Sequence, residues 1–234
     1  MPIAESFFCR RWKHVSILLH KKKLTGGFVV KDDWYRSKTW NDEVEVNFRL
    51  RLRRARDKSQ YLRIQASYLA ASHPRVALSL LDQYFSLGEH FDWAEAYVDK
   101  ARALIALGDV EGAVTSYEAA LERERVYPSL KTQAYLDFAC LVVEARILHF
   151  YSRALEVLES HRDRPMFPVD RCRANGARAL LLQHSGRTRE ARDAANLAMA
   201  AASETQSGFR YHQQLGLVND TENALAKQIA ALAT

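Results

Sequence analysis

The feature that most constrains the fold of this 234-residue chain is the spacing of small and large residues between Tyr97 and Leu121. Gly108 lies between two apolar stretches, where a helix can end in the left-handed backbone conformation, which costs other residues roughly 1–2 kcal/mol. Ala101 and Ala113 are small enough for two helices to approach closely. The side chains that would fill the space between these helices are Tyr97, Leu104 and Tyr117. This spacing predicts a pair of helices joined by a tight turn.

The same arrangement recurs along the chain. Each predicted pair has a small residue early in its second helix. These residues are Ala77, Ala113, Ala154 and Ala191, at spacings of 36, 41 and 37 residues. Repeats of this length are typical of stacked helical units. Apolar residues at i, i+3, i+4 and i+7 predict helices over residues 59–71, 74–87, 92–107, 110–125, 129–147, 150–162, 169–185 and 188–203. Two more helices, over residues 41–57 and about 221–233, are expected to cover the first and last pairs.

The pattern resembles the tetratricopeptide repeat family over roughly residues 58–203, and the resemblance is best in the second pair. Weaker similarity to uncharacterised bacterial proteins with such repeats comes from Trp34, Trp40 and the segments 54–56, 60–66 and 208–212. The family resemblance implies an all-α fold, a right-handed superhelix (an αα-solenoid) of about four helix pairs. It also implies a non-catalytic scaffold that binds a protein or peptide, as an adaptor, assembly factor or regulator.

The resemblance also indicates where a partner would bind. In this family the first helix of each pair lines a concave groove, and the outward positions of these helices are Arg63, Glu95, Arg102, Arg146, Arg173 and Gln183. A guanidinium group can bind a carboxylate through two parallel hydrogen bonds. We therefore expect an acidic protein or peptide as the partner, although the same residues could equally form solvated helix faces.

The N-terminal quarter of the chain is the basic part. Residues 1–60 contain 15 Lys and Arg residues but only 7 Asp and Glu residues. A helix over residues 5–20 would place Phe8, Trp12, Val15 and Leu19 on one face, and the basic patch around it comprises Arg10, Arg11, Lys13, Lys21, Lys22 and Lys23. Residues 10–58 could therefore bind nucleic acid or an anionic membrane, which is the alternative function.

The expected domain organisation follows from these patterns. It comprises a basic, Trp-containing helical extension (1–57), the repeats (58–205) and a segment with a capping helix (206–234). No apolar run approaches the roughly 18–20 residues that span a bilayer. Together with the absence of a recognisable signal peptide, this favours a cytoplasmic protein.

The sequence shows few signs of catalysis. It has no phosphate-binding loop, dinucleotide-binding glycine pattern or zinc-protease motif. Cys9, Cys140 and Cys172 are an odd number without a CxxC pair, which argues against a disulfide framework and a zinc site. Cys140 lies in an apolar helix and is expected to be a buried structural thiol. We therefore predict a protein that is not an enzyme and needs neither a metal nor another cofactor.

Overall fold

The computed structural model describes residues 33–219 and 224–233, and this part of the chain is helical without a β-strand. The α-helices are α1 (Asp42–Arg54), α2 (Lys58–Leu69), α3 (Pro74–Ser86), α4 (Trp93–Leu107), α5 (Val110–Val126), α6 (Ala134–Glu144), α7 (Tyr151–Ser160), α8 (Pro168–His184), α9 (Thr188–Ala202) and α10 (Ala224–Ala233). The predicted helical class is confirmed for these residues. The predicted helix over 5–20 and the basic patch from Arg10 to Lys23 lie outside them. Within the described ranges, no helix is both long enough and apolar enough to cross a membrane.

The chain divides into two compact units. The described part of the N-terminal unit is residues 33–132, with α1 to α5, and that of the C-terminal unit is residues 133–219 and 224–233, with α6 to α10. Each unit contains two helix pairs, in which consecutive helices pack against each other. The pairs are α2 with α3, α4 with α5, α6 with α7, and α8 with α9.

Small residues and left-handed turns make these pairs possible. The alanines that define the repeat, Ala77, Ala113, Ala154 and Ala191, are all fully buried, so the predicted close contacts are confirmed. Gly108 ends α4 at φ 80° and Gly186 follows α8 at φ 76°, both in the region that favours glycine. Asp109 then caps α5 by accepting a hydrogen bond of 2.9 Å from the Gly112 amide.

The third pair departs from the sequence prediction at both ends of α6. This helix was expected over 129–147 but begins at Ala134, because the chain before it is held in another conformation. The Glu124 carboxylate accepts hydrogen bonds from the amide and hydroxyl of Thr132, at 2.9 and 2.5 Å. At the other end α6 stops at Glu144, and Arg146 takes the left-handed conformation with φ 54°. A short 3-10 helix, Leu148–Phe150, then leads into α7.

The predicted covering helices are present in both units. In the N-terminal unit, Phe48 and Leu52 of α1 join the core formed by α2 and α3. The preceding segment is bound to the same core, since the Trp34 ring lies 4.9 Å from the Tyr61 ring. Buried Gln65 also donates a 2.7 Å hydrogen bond to the backbone oxygen of Ser37. Helix α1 and the segment before it therefore cover the first pair.

In the C-terminal unit, α10 packs against α9 and α8. Its residue Ile229 is buried among Leu182, Ala194 and Ala198. Leu225 and Leu232 pack against the same core, so α10 covers the last pair as its predicted helix was expected to do.

The C-terminal unit also buries two thiols. Cys140 on α6 and Cys172 on α8 are both buried and form no disulfide. Burial raises the pKa of the Cys172 thiol to about 11, and it raises that of Cys140 further. The prediction that Cys140 is a buried thiol is confirmed.

Candidate functional site

Three of the predicted groove residues meet between α2 and α4 in the N-terminal unit. Arg63 donates a hydrogen bond from Nε to Asp92 and approaches Asp99 with Nη1 at 3.5 Å. Arg102 donates from Nη1 to the other carboxylate oxygen of Asp99 at 3.1 Å. We call Arg63, Asp92, Glu95, Asp99 and Arg102 the charge cluster. Its guanidinium groups already bind carboxylates of the same unit.

The charge cluster also joins α3 to the other two helices. The Tyr84 hydroxyl donates a 2.5 Å hydrogen bond to Oδ1 of Asp92, whose Oδ2 accepts from Arg63. Burial raises the pKa of Tyr84 far above its ordinary value, so this hydroxyl stays protonated and acts as the donor. Asp92, just before α4, therefore connects side chains of α2 and α3.

Asp99 is the most deeply buried member of the charge cluster. Its side chain is only 1% exposed. Burial and, to a smaller extent, the neighbouring Glu95 carboxylate raise the pKa of Asp99 to about 7, although the charges of Arg102 and Arg63 lower it. Burial also works against the charge of Arg63, but Asp99 and Asp92 raise its pKa above the ordinary value. The cluster thus holds a carboxylate that can titrate near neutral pH.

Replacing Asp99 with asparagine should change how stability depends on pH. A carboxyl whose pKa rises on folding from 3.8 to about 7 keeps its proton in the folded state, at pH values where the unfolded chain has released it. Its contribution to the free energy of unfolding therefore falls as the pH rises from about 4 to about 7. Because asparagine does not titrate, the stability of Asp99→Asn relative to wild type should rise across this window. Urea denaturation at several pH values measures this difference. A difference that decreases as the pH rises would mean that the arginines lower the pKa of Asp99 more than burial raises it.

A second internal ion pair lies in the C-terminal unit. Arg173 of α8 donates from Nη2 to Oδ1 of Asp137 on α6 at 2.8 Å, and both side chains are only 8% exposed. The prediction that Arg173 faces outward into a groove is therefore wrong. Arg63 and Asp99 are separated by 36 residues, as are Asp137 and Arg173. Each unit thus has an ion pair that joins the first helices of its two pairs.

The two remaining groove residues lie apart from these ion pairs. Arg146 is exposed, but it occupies the turn after α6 rather than the face of a helix, which corrects its predicted place. Gln183 is exposed in the last turn of α8. The predicted residues therefore divide between a charge cluster, a buried pair and two exposed positions.

An exposed aromatic surface, which the sequence analysis missed, lies beside the loop between α3 and α4. Phe91 in this loop is 79% exposed. The Arg123 guanidinium of α5 lies 5.1 Å from the Trp93 ring centre and 4.6 Å from that of Tyr127. Glu89 accepts hydrogen bonds from Arg123 at 2.6 Å and from the Tyr127 hydroxyl at 3.1 Å. We call these five residues the aromatic edge.

The aromatic edge is preorganised by its own contacts. The hydrogen bonds from Arg123 and Tyr127 hold the pKa of Glu89 below its ordinary value, so its carboxylate stays charged and keeps both donors in place. Trp, Tyr and Arg are the residue types that dominate binding energy at protein interfaces. The only sequence signal was the presence of Leu87 and Phe91, two large apolar residues, in a short connection.

The described residues contain no group of three His, Cys, Asp or Glu side chains placed to hold a metal ion. Comparison of the chain with family models, curated proteins and solved structures gave no significant match. The function must therefore be argued from the residues themselves.

Proposed function

We propose that this protein is a non-catalytic scaffold that binds another protein or a peptide. The observation that carries the proposal is the aromatic edge, where Phe91 is 79% exposed and lies two residues along the chain from both Glu89 and Trp93. A large apolar side chain held in water next to Trp, Tyr and Arg is the composition expected of an interface centre. The partner would therefore bring an apolar side chain to Phe91 and a polar rim to Glu89 and Arg123.

The helix pairs support the same proposal. Pairs that pack through buried alanines and turn at left-handed glycines are typical of tetratricopeptide-like repeats, which present surfaces for binding. A right-handed superhelix, membership of that repeat class and a cytoplasmic location belong to this proposal and rest on the sequence patterns. An acidic partner in the groove also stays a prediction. Such a partner would have to compete with Asp92 and Asp99 for Arg63 and Arg102.

Replacing Phe91 with alanine should weaken the partner without unfolding the protein. Truncating an interface centre costs more than about 1.4 kcal/mol, so the dissociation constant should rise by roughly tenfold or more. The partner is first identified by affinity capture from the native host and mass spectrometry. Its affinity for purified wild type and variant is then measured by calorimetry. The melting temperature should barely move, since exposed substitutions change stability by under about 0.5 kcal/mol.

Tyr211→Ala is the matched control. Tyr211 is an aromatic residue in the C-terminal unit and is 82% exposed, so its truncation removes a similar exposed area. The control should bind the partner as the wild type does. Equal binding by wild type and Phe91→Ala would remove the aromatic edge as the binding surface, and failure to capture any partner would contradict the scaffold proposal.

A further inference from the structure

A positively charged cleft lies where α1 ends and α2 begins. It has a volume of about 450 Å³ and is lined by Arg49, Leu52, Arg53 and Lys58. Leu52 is buried and forms an apolar wall, whereas Arg53 and Lys58 are exposed. The three cationic side chains come from two helices and converge on one space. A cavity of this kind suits an anion that several cations can contact together.

One of these cations is held in place by the rest of the unit. Arg49 donates from Nη1 to Gln83 Oε1 at 2.6 Å, and from Nε and Nη2 to Glu45 Oε1 at 3.4 and 3.3 Å. A guanidinium has five N–H donors, so these bonds fix Arg49 and leave two donors for a ligand. Arg49 thus provides a preorganised wall, while the exposed side chains of Arg53 and Lys58 can adjust.

Four cations at or beside the cleft have no acidic partner among the described residues. Between Arg49 and Lys58 there are six cationic residues, and Asp57 is the single acidic one. The Asp57 carboxylate is engaged locally, since it accepts hydrogen bonds from the Ser59 hydroxyl at 2.7 Å and the Gln60 amide at 3.2 Å. Among the described residues, no ion pair is made by Arg53, Arg54, Arg56 or Lys58. Many exposed arginines elsewhere are paired, as Arg187 is with Glu190.

Helix stability explains only part of this accumulation. Cations in the last turn of α1, such as Arg53 and Arg54, interact favourably with the negative end of the helix dipole. Lys58, however, is the first residue of α2, where the dipole disfavours a positive charge. Like charges at i and i+4, as at Arg49 and Arg53, also lower helix stability. A ligand that neutralises these charges would remove that cost.

We propose that this cleft and the basic residues beside it bind the phosphate backbone of a nucleic acid. A single phosphate group would need only the cleft, but Arg54 and Arg56 extend the positive surface beyond it, as successive phosphates require. An anionic membrane fits less well, because the first turn of α1 carries Asp42, Glu43 and Glu45 and a flat surface along the helix would meet them. Val46 and Leu50 are nevertheless exposed on α1, so the membrane is tested as the other outcome.

The test compares two double variants of the full chain. Arg53→Gln with Lys58→Gln removes two cations from the cleft. Arg75→Gln with Lys131→Gln removes one exposed arginine and one exposed lysine elsewhere in the same unit. Binding of a fluorescent, mixed-sequence single-stranded DNA oligonucleotide is followed by anisotropy between about 50 and 200 mM salt. Melting temperatures of both variants verify that they are folded.

The expected result is a specific loss in the cleft variant. Each phosphate contact contributes about −0.7 to the slope of log affinity against log salt for a single strand, so the slope should become less negative by about 1.4. At the low end of the salt range the affinity should fall roughly tenfold, while the control variant should bind like wild type. The proposal is overturned if wild type fails to bind at low salt or if both double variants bind alike.

Two further arms separate the possible sources of the anion. Inorganic phosphate should displace the oligonucleotide only at far higher phosphate concentrations, because it cannot reach the basic residues outside the cleft. If inorganic phosphate competes as well as unlabelled oligonucleotide does at the same concentration of phosphate groups, the cleft binds a single phosphate group and the proposal is overturned. Vesicles containing phosphatidylserine should not bind through the cleft. If wild type floats with the vesicles, the cleft variant does not, and wild type fails to bind the oligonucleotide, the surface binds membranes instead.

Discussion

Arg173→Met should be among the most destabilising single substitutions in this protein, with a loss of about 3–5 kcal/mol. Arg173 and Asp137 are both only 8% exposed and are joined at 2.8 Å between α8 and α6. Methionine fills much of the volume of arginine but leaves the Asp137 carboxylate buried without its cationic partner. Asp170, whose pKa burial already raises against the charge of Arg173, would lose the same neighbour. The free energy of unfolding from urea denaturation measures the loss.

A second substitution at the partner residue makes this prediction specific. Replacing a whole buried ion pair with apolar residues is often neutral or stabilising, whereas removing one partner is costly. The double variant Arg173→Met with Asp137→Leu should therefore recover most of the stability that Arg173→Met loses. If the losses of stability from the two single substitutions instead add in the double variant, the cost of losing Arg173 comes from packing and not from the charge of the Asp137 carboxylate.

Arg102→Glu should also destabilise the protein strongly, by about 3 kcal/mol or more. The Arg102 side chain is only 20% exposed and pairs at 3.1 Å with Asp99, which is buried. The reversal would place a second carboxylate beside Asp99, with Glu95 already one turn away on α4. The melting temperature and the free energy of unfolding should both decrease. From the sequence alone, Arg102 is expected on an outward face, where the same reversal would have little effect.

The matched control for this reversal is Arg75→Glu. Arg75 lies in the same unit, is exposed, and occupies the first turn of α3, where an acidic residue is favourable. It should change stability by no more than about 0.5–1 kcal/mol. If Arg102→Glu melts at the same temperature as wild type, the assignment of Arg102 to the charge cluster is wrong and Arg102 lies on an exposed face of the groove, as the sequence predicted.

The helix pairs could be predicted from the sequence because their determinants are local. Close helix contacts and left-handed turns have steric requirements that few residue types meet. Alanine meets the first at positions 77, 113, 154 and 191, and glycine meets the second at 108 and 186. The bounds of α6 could not be predicted in the same way. They depend on Glu124 binding Thr132 eight residues away, and on Arg146 entering a conformation usually taken by glycine.

The charge cluster and the Arg173–Asp137 pair were less predictable because their residues pack between helix pairs. A first helix buries one face against its own partner helix and another against the first helix of a neighbouring pair, as α4 does with α5 and α2. A charged residue on the second face looks like a surface residue when only one helix is considered. Arg173 and Asp99 were both of this kind. The signal that could have revealed them is the 36-residue spacing of opposite charges, at Arg63 and Asp99 and again at Asp137 and Arg173.

The buried thiols of α6 and α8 make opening of the C-terminal unit chemically observable. Only the thiolate reacts readily with alkylating reagents, and burial both shields Cys140 and Cys172 and raises their pKa values. The described part of the N-terminal unit, by contrast, contains no cysteine. With Cys9 replaced by serine, the rate of alkylation would report how often α6 and α8 separate enough to admit water.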